Sequence, residues 1–453
     1  MSVSNRRITI VGAGLAGSLL GVRLARQGIE TEILERWPDP RKSRIPAGRS
    51  INLALAERGR EALRSAGVLE TVERFALPMR GRMLHNEAGE TTFQAYGQRE
   101  NEIIWSVHRA RLNEALLDAA EAHGVPIHFD RRLEQADFDA CRLELVDSQG
   151  RHYQHDFELA VGADGAGSAL RQAMAGETEL GAREEPLGHG YLELTIPPDE
   201  QGRFRMEPEA LHIWPRGGFM MIALPNPDAS FTCTLFLDND GDPGFEQLAE
   251  VGAMRQFLRD HFPDAVANMP DLETEIASNP VGYLATLYVD LWHLDDRAVL
   301  LGDAAHAIVP FHGQGMNAAF EDTVAFEKAL LEAPDPGAAL ERFFRERKPN
   351  GDAIAAMALD NYLEMRDRVR EPRFHLKKQL EWALEKRLPE QFIPRYAMVM
   401  FHPEISYAEA NARGNAQDRL LESIIGEHTT LDQIDLDHAT REAEAKLADQ
   451  PNH

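Results

Sequence analysis

The sequence predicts an α/β protein with a β-α-β domain, an inserted antiparallel β-sheet and a helical C-terminal region. A strand–helix–strand pattern fills residues 7–35, and three strand-like runs joined by Pro/Gly/Asn turns lie within residues 211–237. After Pro349 the pattern is almost entirely helical. The length of 453 residues allows two or three packed units.

The composition narrows the possible partners and compartment. A formal net charge of −26 disfavours binding to nucleic acids and anionic membranes, because both are polyanions. The two cysteines, Cys141 and Cys233, lack metal-type spacing, so we expect reduced thiols and no metal site. There is no signal-peptide core, and no apolar run reaches the about 18 residues of a membrane span. We therefore expect a cytoplasmic protein without a membrane anchor, and both a monomer and a homodimer remain compatible with the sequence.

The first strand ends in a GxGxxG motif that opens the first helix. Gly12 permits a tight turn, Gly14 lets the backbone approach a pyrophosphate, and Gly17 allows close helix–strand packing. Glu35 ends the second strand, where its carboxylate suits ribose hydroxyls and disfavours a 2′-phosphate, so FAD or NAD is indicated. The cofactor contacts predicted here are Gly12, Gly14, Leu15, Ala16, Gly17, Glu35 and Arg36.

Two further motifs follow other buried strands. Residues 162–165 read Gly-Ala-Asp-Gly, and Ser168 is placed to cap the next helix. Residues 301–306 contain Gly-Asp, and residues 310–317 then lead into a helix. Together with GxGxxG, in this order, these motifs resemble the FAD-dependent aromatic hydroxylases over residues 7 to about 330. Only one GxGxxG occurs. The resemblance implies that NADPH acts as a transient co-substrate without a Rossmann domain of its own, and the sequence itself leaves the choice between NADPH and NADH open.

The resemblance implies a Rossmann-type FAD-binding domain and further contacts to tightly bound FAD. Asp303 would bind the ribityl chain, and the helix beginning at Gly315 would place its positive dipole end at the flavin ring. Either Arg109 or Arg111 would supply the family arginine at the cofactor. The cofactor residues added in this way are Leu55, Arg109, Asp164, Gly302, Asp303, Gly315, Met316 and Asn317.

The same resemblance and the element pattern divide the chain into three parts. The FAD-binding domain is expected to be discontinuous, the substrate-binding β-sheet domain to interrupt it, and the C-terminal helices to cover the pocket and exclude water. The expected ranges are 1–80, 98–180 and 290–345 for the first part, 81–97 and 181–289 for the second, and 346–453 for the third.

Other segments resemble the members of this family that hydroxylate L-kynurenine. They are residues 48–55, 58–59, 78–85, 360–366 and 394–396. On this resemblance Arg82 and Tyr96 would grip the substrate carboxylate, for which a guanidinium is geometrically suited. The remaining implied substrate contacts are the pocket residues Asn361 and Tyr396, the apolar wall Ile222, Leu224 and Phe236, and the loop Pro310, Phe311 and His312.

Asn361 also stands out without the resemblance. It shares one predicted helix face with the apolar residues Ile354, Met357, Ala358 and Met365. A buried amide needs hydrogen-bond partners, which either a substrate or a neighbouring backbone segment can provide. By contrast, we expect His306 to be a packed, hydrogen-bonded histidine.

The implied reaction converts L-kynurenine, NADPH and O2 into 3-hydroxykynurenine, NADP⁺ and water through a C4a-hydroperoxyflavin, within tryptophan degradation or NAD biosynthesis. The aniline nitrogen of this substrate already donates electron density to the ring, so no general base is nominated. Two alternatives stay open: an FAD-dependent hydroxylase of another ring, such as a hydroxybenzoate or salicylate, and a non-catalytic FAD-binding protein.

Overall fold

The computed structural model describes residues 6–42, 52–366 and 371–447. Residues 48–51, which contribute to the resemblance above, lie outside these ranges. The strands are β1 Ile8–Val11, β2 Thr31–Leu34, β3 Asn52–Leu55, β4 Leu77–Met79, β5 Gly81–His85, β6 Thr91–Ala95, β7 Ile104–His108, β8 Ile127–His128, β9 Arg132–Asp137, β10 Arg142–Val146, β11 His152–Asp156, β12 Leu159–Gly162, β13 Arg183–Ile196, β14 Ala210–Pro215, β15 Met220–Pro225, β16 Phe231–Asp238, β17 Gly282–Tyr288, β18 His293–Leu294 and β19 Ala298–Leu300. The helices are α1 Leu15–Arg26, α2 Glu57–Ser65, α3 Leu69–Glu73, α4 Arg109–Ala122, α5 Ala169–Met174, α6 Val251–His261, α7 Pro263–Val266, α8 Leu272–Ser278, α9 Asp303–His306, α10 Gly315–Glu332, α11 Pro336–Arg366, α12 Pro372–Arg387, α13 Arg395–Phe401, α14 Tyr407–Ile425 and α15 Leu436–Leu447.

A six-stranded sheet in the order β18-β19-β12-β1-β2-β8 forms the centre of the first part, and its pairs are parallel except at β18. Gly12 has a φ of +107°, a conformation that L side chains rarely adopt. A Cβ added to Gly17 would lie 2.0 Å from the Gly12 carbonyl oxygen, so only glycine lets α1 start this close to β1. Ser168 caps α5 by accepting a hydrogen bond from the Arg171 N–H. These features confirm the predicted Rossmann-type domain.

The second part is a seven-stranded sheet in the order β17-β13-β16-β15-β14-β5-β6. The predicted meander is confirmed, because β14, β15 and β16 pair antiparallel in sequence order. One pair departs from the antiparallel pattern: β5 pairs with β14 in parallel. The β5–β6 hairpin comes from a distant part of the chain, so no short turn forces it to run against β14.

Alternating side chains give β15 two different faces. Met221 and Ala223 are buried in an apolar cluster with residues of α6. Ile222 and Leu224 point the other way, towards the space between this sheet and the first part of the molecule. The sheet therefore uses one face for its own core and the other as a cavity wall.

The C-terminal region is helical, as predicted. The helix α11 continues through Pro349 and therefore spans the boundary expected between the FAD-binding domain and the C-terminal cover at residue 345. The division of the chain at that residue stays a prediction. The predicted apolar face of α11 is confirmed, since Ile354, Met357 and Met365 are all buried with Asn361. Among the described residues, no helix combines the length and the apolar character of a membrane span.

A buried chain of hydrogen bonds joins three elements of the second part. The His85 Nδ1 lies 2.7 Å from the Asp264 carboxylate, and its Nε2 lies 2.8 Å from the Nδ1 of His212. The His212 Nε2 lies 2.9 Å from the Glu207 carbonyl oxygen, which can only accept a hydrogen. Desolvation, reinforced by His85, lowers the pKa of His212 to about 4.

This depressed pKa predicts an acid-sensitive contribution to stability. Between about pH 6.5 and about pH 4 the unfolded chain binds a proton at His212 that the folded protein excludes, so stability falls as the pH falls through this window. Replacing His212 by asparagine should lower Tm at neutral pH but make the decrease of Tm between about pH 7 and about pH 5 shallower. The matched control is His438→Asn, because the His438 side chain on α15 is exposed. Equal pH slopes for wild type and His212→Asn would contradict the assignment.

Candidate active-site cavity

A cavity of about 960 Å³ lies between the two large sheets and the helices α10, α11 and α13. Its size is at the upper end of the about 300–1,000 Å³ typical of ligand sites. Every predicted substrate residue lines it: Arg82, Tyr96, Ile222, Leu224, Phe236, Pro310, Phe311, His312, Asn361 and Tyr396. The predicted cofactor residues that line it are Gly12, Gly14, Leu15, Ala16, Glu35, Arg36, Arg109, Asp164, Asp303, Gly315 and Met316.

Four predicted cofactor residues do not line the cavity, namely Gly17, Leu55, Gly302 and Asn317. The buried Asn317 side chain accepts a hydrogen bond from the Ala56 N–H at 3.0 Å and donates to the Ala54 and Gly313 carbonyls at 2.9 Å. The Gly302 N–H donates to the buried Asp322 carboxylate at 2.9 Å. Asn317 and Gly302 therefore hold loop segments next to the cavity.

The two candidate arginines on α4 occupy different places. Arg109 lines the cavity, whereas Arg111 lines a neighbouring cleft of about 890 Å³. The Arg111 guanidinium carbon lies 5.6 Å from the centre of the Phe75 ring. The geometry therefore favours Arg109 as the cofactor contact.

His306 follows the expectation of a packed residue. Its Nε2 lies 2.6 Å from the Asp322 carboxylate, and its ring stacks on Trp292. The Arg347 Nε donates to the other oxygen of Asp322 at 2.7 Å. Burial would raise the pKa of Asp322, but its interactions with His306 and Arg347 outweigh burial and hold the pKa well below its usual range, so this carboxylate stays charged beneath the turn at Gly302.

The end of the cavity near α1 fits a dinucleotide. A Cβ added to Gly14 would meet no protein atom within 4 Å, so the backbone is open to the cavity at this residue. Glu35 is held by the N–H groups of Ala13 at 2.7 Å and Trp37 at 2.9 Å. The Asp164 Oδ1 is buried and has no hydrogen-bond partner among the described residues. An open backbone cradle and an unsatisfied acceptor match the pyrophosphate and hydroxyl groups of FAD.

The helix α10 points its N-terminus at the middle of the cavity. Its first residues, Gly315 and Met316, are cavity-lining, and no acidic residue lies in its first turn. The unpaired N–H groups and the helix dipole therefore present partial positive charge there. This is the position where a reduced, anionic flavin ring would gain stabilisation.

At the opposite end Arg82 supplies a cation that forms no direct ion pair with a carboxylate of the described residues. Its guanidinium carbon lies 4.6 Å from the centre of the Tyr396 ring and 5.8 Å from that of Tyr96. Among the described residues the carboxylate of Glu364 acts on it through its charge without a direct ion pair, and its buried Nε makes no hydrogen bond. Desolvation lowers the pKa of Arg82, but Tyr396, Tyr96 and Glu364 outweigh it, so the side chain stays charged. A partly buried cation of this kind calls for an anionic ligand.

An apolar, aromatic slot lies beside this cation. The Phe311 ring lies 4.9 Å from that of Phe236 and 4.0 Å from that of Tyr362. The His312 ring stacks on Tyr396 at 5.5 Å, and desolvation lowers the pKa of His312 to about 4, so this histidine is neutral at pH 7. The slot therefore suits an uncharged aromatic ring.

Asn361 connects the slot to the loop above it. Its Nδ2 donates to the Phe311 carbonyl at 2.7 Å. The sequence left a substrate or a neighbouring backbone segment as the partner of this amide, and the structure shows the backbone partner. The hydrogen bond fixes Phe311, the loop residue that packs over the slot. Asn361 itself lines the cavity, and its amide oxygen takes no part in the hydrogen bond to Phe311.

Some lining residues were missed by sequence reasoning. Thr234 and Tyr191 share the cavity face of the sheet with Phe236, and the alternating pattern of β16 could have identified Thr234. Trp37, Arg131 and Met400 also line the cavity. Trp37 directly follows the predicted Glu35 and Arg36, and Met400 lies one turn after Tyr396 on α13, so proximity to predicted residues could have found both, whereas no such signal marks Arg131.

Comparison with known proteins gives the class. Residues 6–358 match the FAD binding domain family. The tetrameric 2-methyl-3-hydroxypyridine-5-carboxylic acid oxygenase matches with a TM-score of 0.65 and 21% identity over 80% of this chain and 92% of that one. PqsL of Pseudomonas aeruginosa, in complex with 2-aminobenzoylacetate, matches with a TM-score of 0.65 and 21% identity over 81% and 98%. The fold is that of the aromatic hydroxylases, as predicted, and the protein is an FAD-dependent monooxygenase.

More similar sequences define the group within this class. The kynurenine 3-monooxygenase of Stenotrophomonas maltophilia (strain K279a) is 50% identical over 434 residues, which cover 95% of each chain. That of Xanthomonas oryzae pv. oryzae (strain KACC10331 / KXO85) is 50% identical over 435 residues, covering 96% of this chain and 95% of the relative. The chain belongs to the kynurenine 3-monooxygenase family.

Proposed function

We propose that this enzyme hydroxylates L-kynurenine at ring carbon 3. One molecule each of L-kynurenine, NADPH and O2, with one proton, gives 3-hydroxykynurenine, NADP⁺ and water. The family relationship supports this reaction. The observation that carries it is Arg82, a cation without a direct ion pair to a carboxylate of the described residues, beside an apolar aromatic slot.

The substrate has two chemically distinct ends that correspond to this arrangement. Its carboxylate would bind Arg82, where a planar guanidinium can donate two parallel hydrogen bonds. Tyr96 and Tyr396 flank the guanidinium, and desolvation raises the pKa of both hydroxyls, so they remain protonated donors. The substrate ring would then lie against Ile222 and Phe236.

Positioning and water exclusion are the main tasks of these side chains. Phe311 lines the slot and is itself fixed by Asn361, and residues of α11 and α13 line the cavity beside it. A closed apolar slot keeps the aromatic ring in one orientation and keeps water away from the oxidising group. His312 is neutral and lies against Tyr396, so it adds shape without adding charge.

The residues that would hold FAD are those of the cofactor end. Gly14 and the first turn of α1 would receive the pyrophosphate, Glu35 the adenosine ribose, and Asp303 the ribityl chain. Bound FAD supplies the transfer of reducing equivalents from NADPH and the activation of O2. The N-terminus of α10 would stabilise negative charge on the ring system through the N–H groups of Gly315 and Met316.

The test is identification of the product. Purified, FAD-loaded protein is incubated with L-kynurenine, NADPH and ¹⁸O2, and we expect one labelled oxygen atom on the ring of the product by mass spectrometry and NMR. Turnover of hydroxybenzoate or salicylate instead of L-kynurenine would assign another substrate. Bound FAD without oxygen uptake with any of these compounds would indicate a non-catalytic protein.

A further inference from the structure

Arg58 is a fully buried arginine on α2 that does not line the cavity. Its side chain is 0% exposed and forms an ion pair with Glu321 at 2.8 Å. It also donates hydrogen bonds to four backbone carbonyls of one distant segment: Val399 at 2.7 Å, Met398 at 3.0 Å, His402 at 3.2 Å and Ile405. A charged group with this number of acceptors holds the segment that provides them.

The segment in question is the C-terminal end of α13. This helix has only seven residues, so it cannot be stable without tertiary contacts. The last carbonyls of a helix lack partners within the helix, and here Arg58 binds two of them together with two in the following turn. Arg58 therefore caps α13 from a different part of the chain.

The helix α13 carries two cavity-lining residues, Tyr396 and Met400. Tyr396 stacks against Arg82 and His312, and it is thus part of the carboxylate end of the slot. A shift of α13 along its axis would move this ring relative to Arg82. The position of Tyr396 consequently depends on the contacts that fix α13.

A second set of contacts joins the same helix to the flavin-facing helix. The Arg58 guanidinium carbon lies 4.3 Å from the centre of the Tyr407 ring. The Tyr407 hydroxyl donates to the Gln314 amide oxygen at 2.8 Å, and the Gln314 amide donates to the Met400 sulfur at 3.0 Å. Gln314 is the residue before α10 begins. Arg58 thus stands at the junction of α13, α14 and the N-terminus of α10.

We propose that Arg58 is a positioning residue that sets the place of Tyr396 against Arg82 and thereby the grip on the amino-acid end of the substrate. The identity of that substrate rests on the proposed function, whereas the placement of α13 does not. Methionine at this position would leave the carbonyls unsatisfied. Lysine would keep the charge but offers a compact ammonium in place of the planar fork that now spans several carbonyls.

The experiment compares Arg58→Met and Arg58→Lys with the wild-type holoenzyme. We expect both variants to retain FAD, with the KM for L-kynurenine about tenfold higher in Arg58→Met, a smaller increase in Arg58→Lys, and little change in kcat. Amide hydrogen exchange of the FAD-loaded protein should be at least about tenfold faster in residues 395–401 of Arg58→Met and unchanged in α15. The exchange measurement needs no substrate, so it remains decisive if L-kynurenine is not turned over by the wild type.

The matched control is Arg64→Met on the same helix, because Arg64 is exposed and pairs only with Glu57 and Glu61 among the described residues. It should leave KM and exchange unchanged. Tyr407→Phe removes only the hydroxyl bonded to Gln314 and provides a second test if Arg58→Met does not fold. Its KM should rise about two- to threefold. Unchanged exchange in α13 of Arg58→Met, or unchanged KM in a folded Tyr407→Phe, would overturn the proposal.

Discussion

Replacing Arg82 by alanine should raise the KM for L-kynurenine about 100-fold while the purified protein keeps its bound FAD. Truncating one partner of a buried charge pair costs about 2–5 kcal/mol, and each ~1.4 kcal/mol corresponds to a factor of ten. Arg82 forms no direct ion pair with a carboxylate of the described residues, so the substrate carboxylate is the charge that would lose its partner. Steady-state kinetics and the flavin absorbance spectrum provide the two readouts.

The neighbouring Arg80 is the control for this change. It precedes β5 by one residue, is half exposed and pairs with Glu209 at 2.7 Å. Exposed ion pairs contribute about 0–1 kcal/mol, so Arg80→Ala should leave KM within about a factor of two. Loss of FAD from Arg82→Ala, or an equal effect of both substitutions on KM, would show that Arg82 is not the carboxylate anchor.

Gly14→Ala should give a folded protein that contains almost no FAD. The new methyl group would meet no protein atom within 4 Å, and the backbone of Gly14 is extended with a φ of −73°, so alanine fits the fold itself. The methyl group would instead occupy the space where the pyrophosphate approaches the N-terminus of α1. We expect FAD affinity to fall at least about 100-fold, measured by titration of apoprotein with FAD.

Gly252→Ala provides the matched control, because Gly252 lies in α6 and an added Cβ there also meets nothing within 4 Å. This variant should bind FAD like the wild type. Circular dichroism distinguishes steric exclusion of FAD from unfolding of the protein, since Gly14→Ala should retain its secondary structure. A yellow Gly14→Ala protein with unchanged FAD affinity would place the pyrophosphate elsewhere.

The sequence was informative where the signal is local. Gly12 indicates a tight turn, Gly17 a close helix–strand contact, and the residue after β2 is acidic, all within the first thirty-odd residues. The structure confirms the domain that these signals predict. The meander between residues 210 and 238 was equally legible, because turn residues separate its strands. Substrate residues required the family resemblance, since their side chains come from segments far apart in the chain.

Other features could not be predicted because their partners are distant. The parallel register of β5 with β14 joins residues more than a hundred positions apart, and hydrophobic alternation does not encode such a pairing. The Arg58 Nε and its acceptor on Val399 are 341 residues apart. Asn317 belongs to a motif, but the motif does not reveal that its side chain holds the loop at Ala54 and Ala56.

The two faces of β15 have a consequence for altering this enzyme. Ile222 and Leu224 can be varied together with Phe236 to reshape the space for the ring, while Met221 and Ala223 continue to anchor the strand. None of these five residues belongs to the segments that surround the dinucleotide. Ring selectivity and cofactor retention are therefore separable traits, and a mutant library confined to the inner face can explore differently substituted anilines in a protein that remains fully loaded.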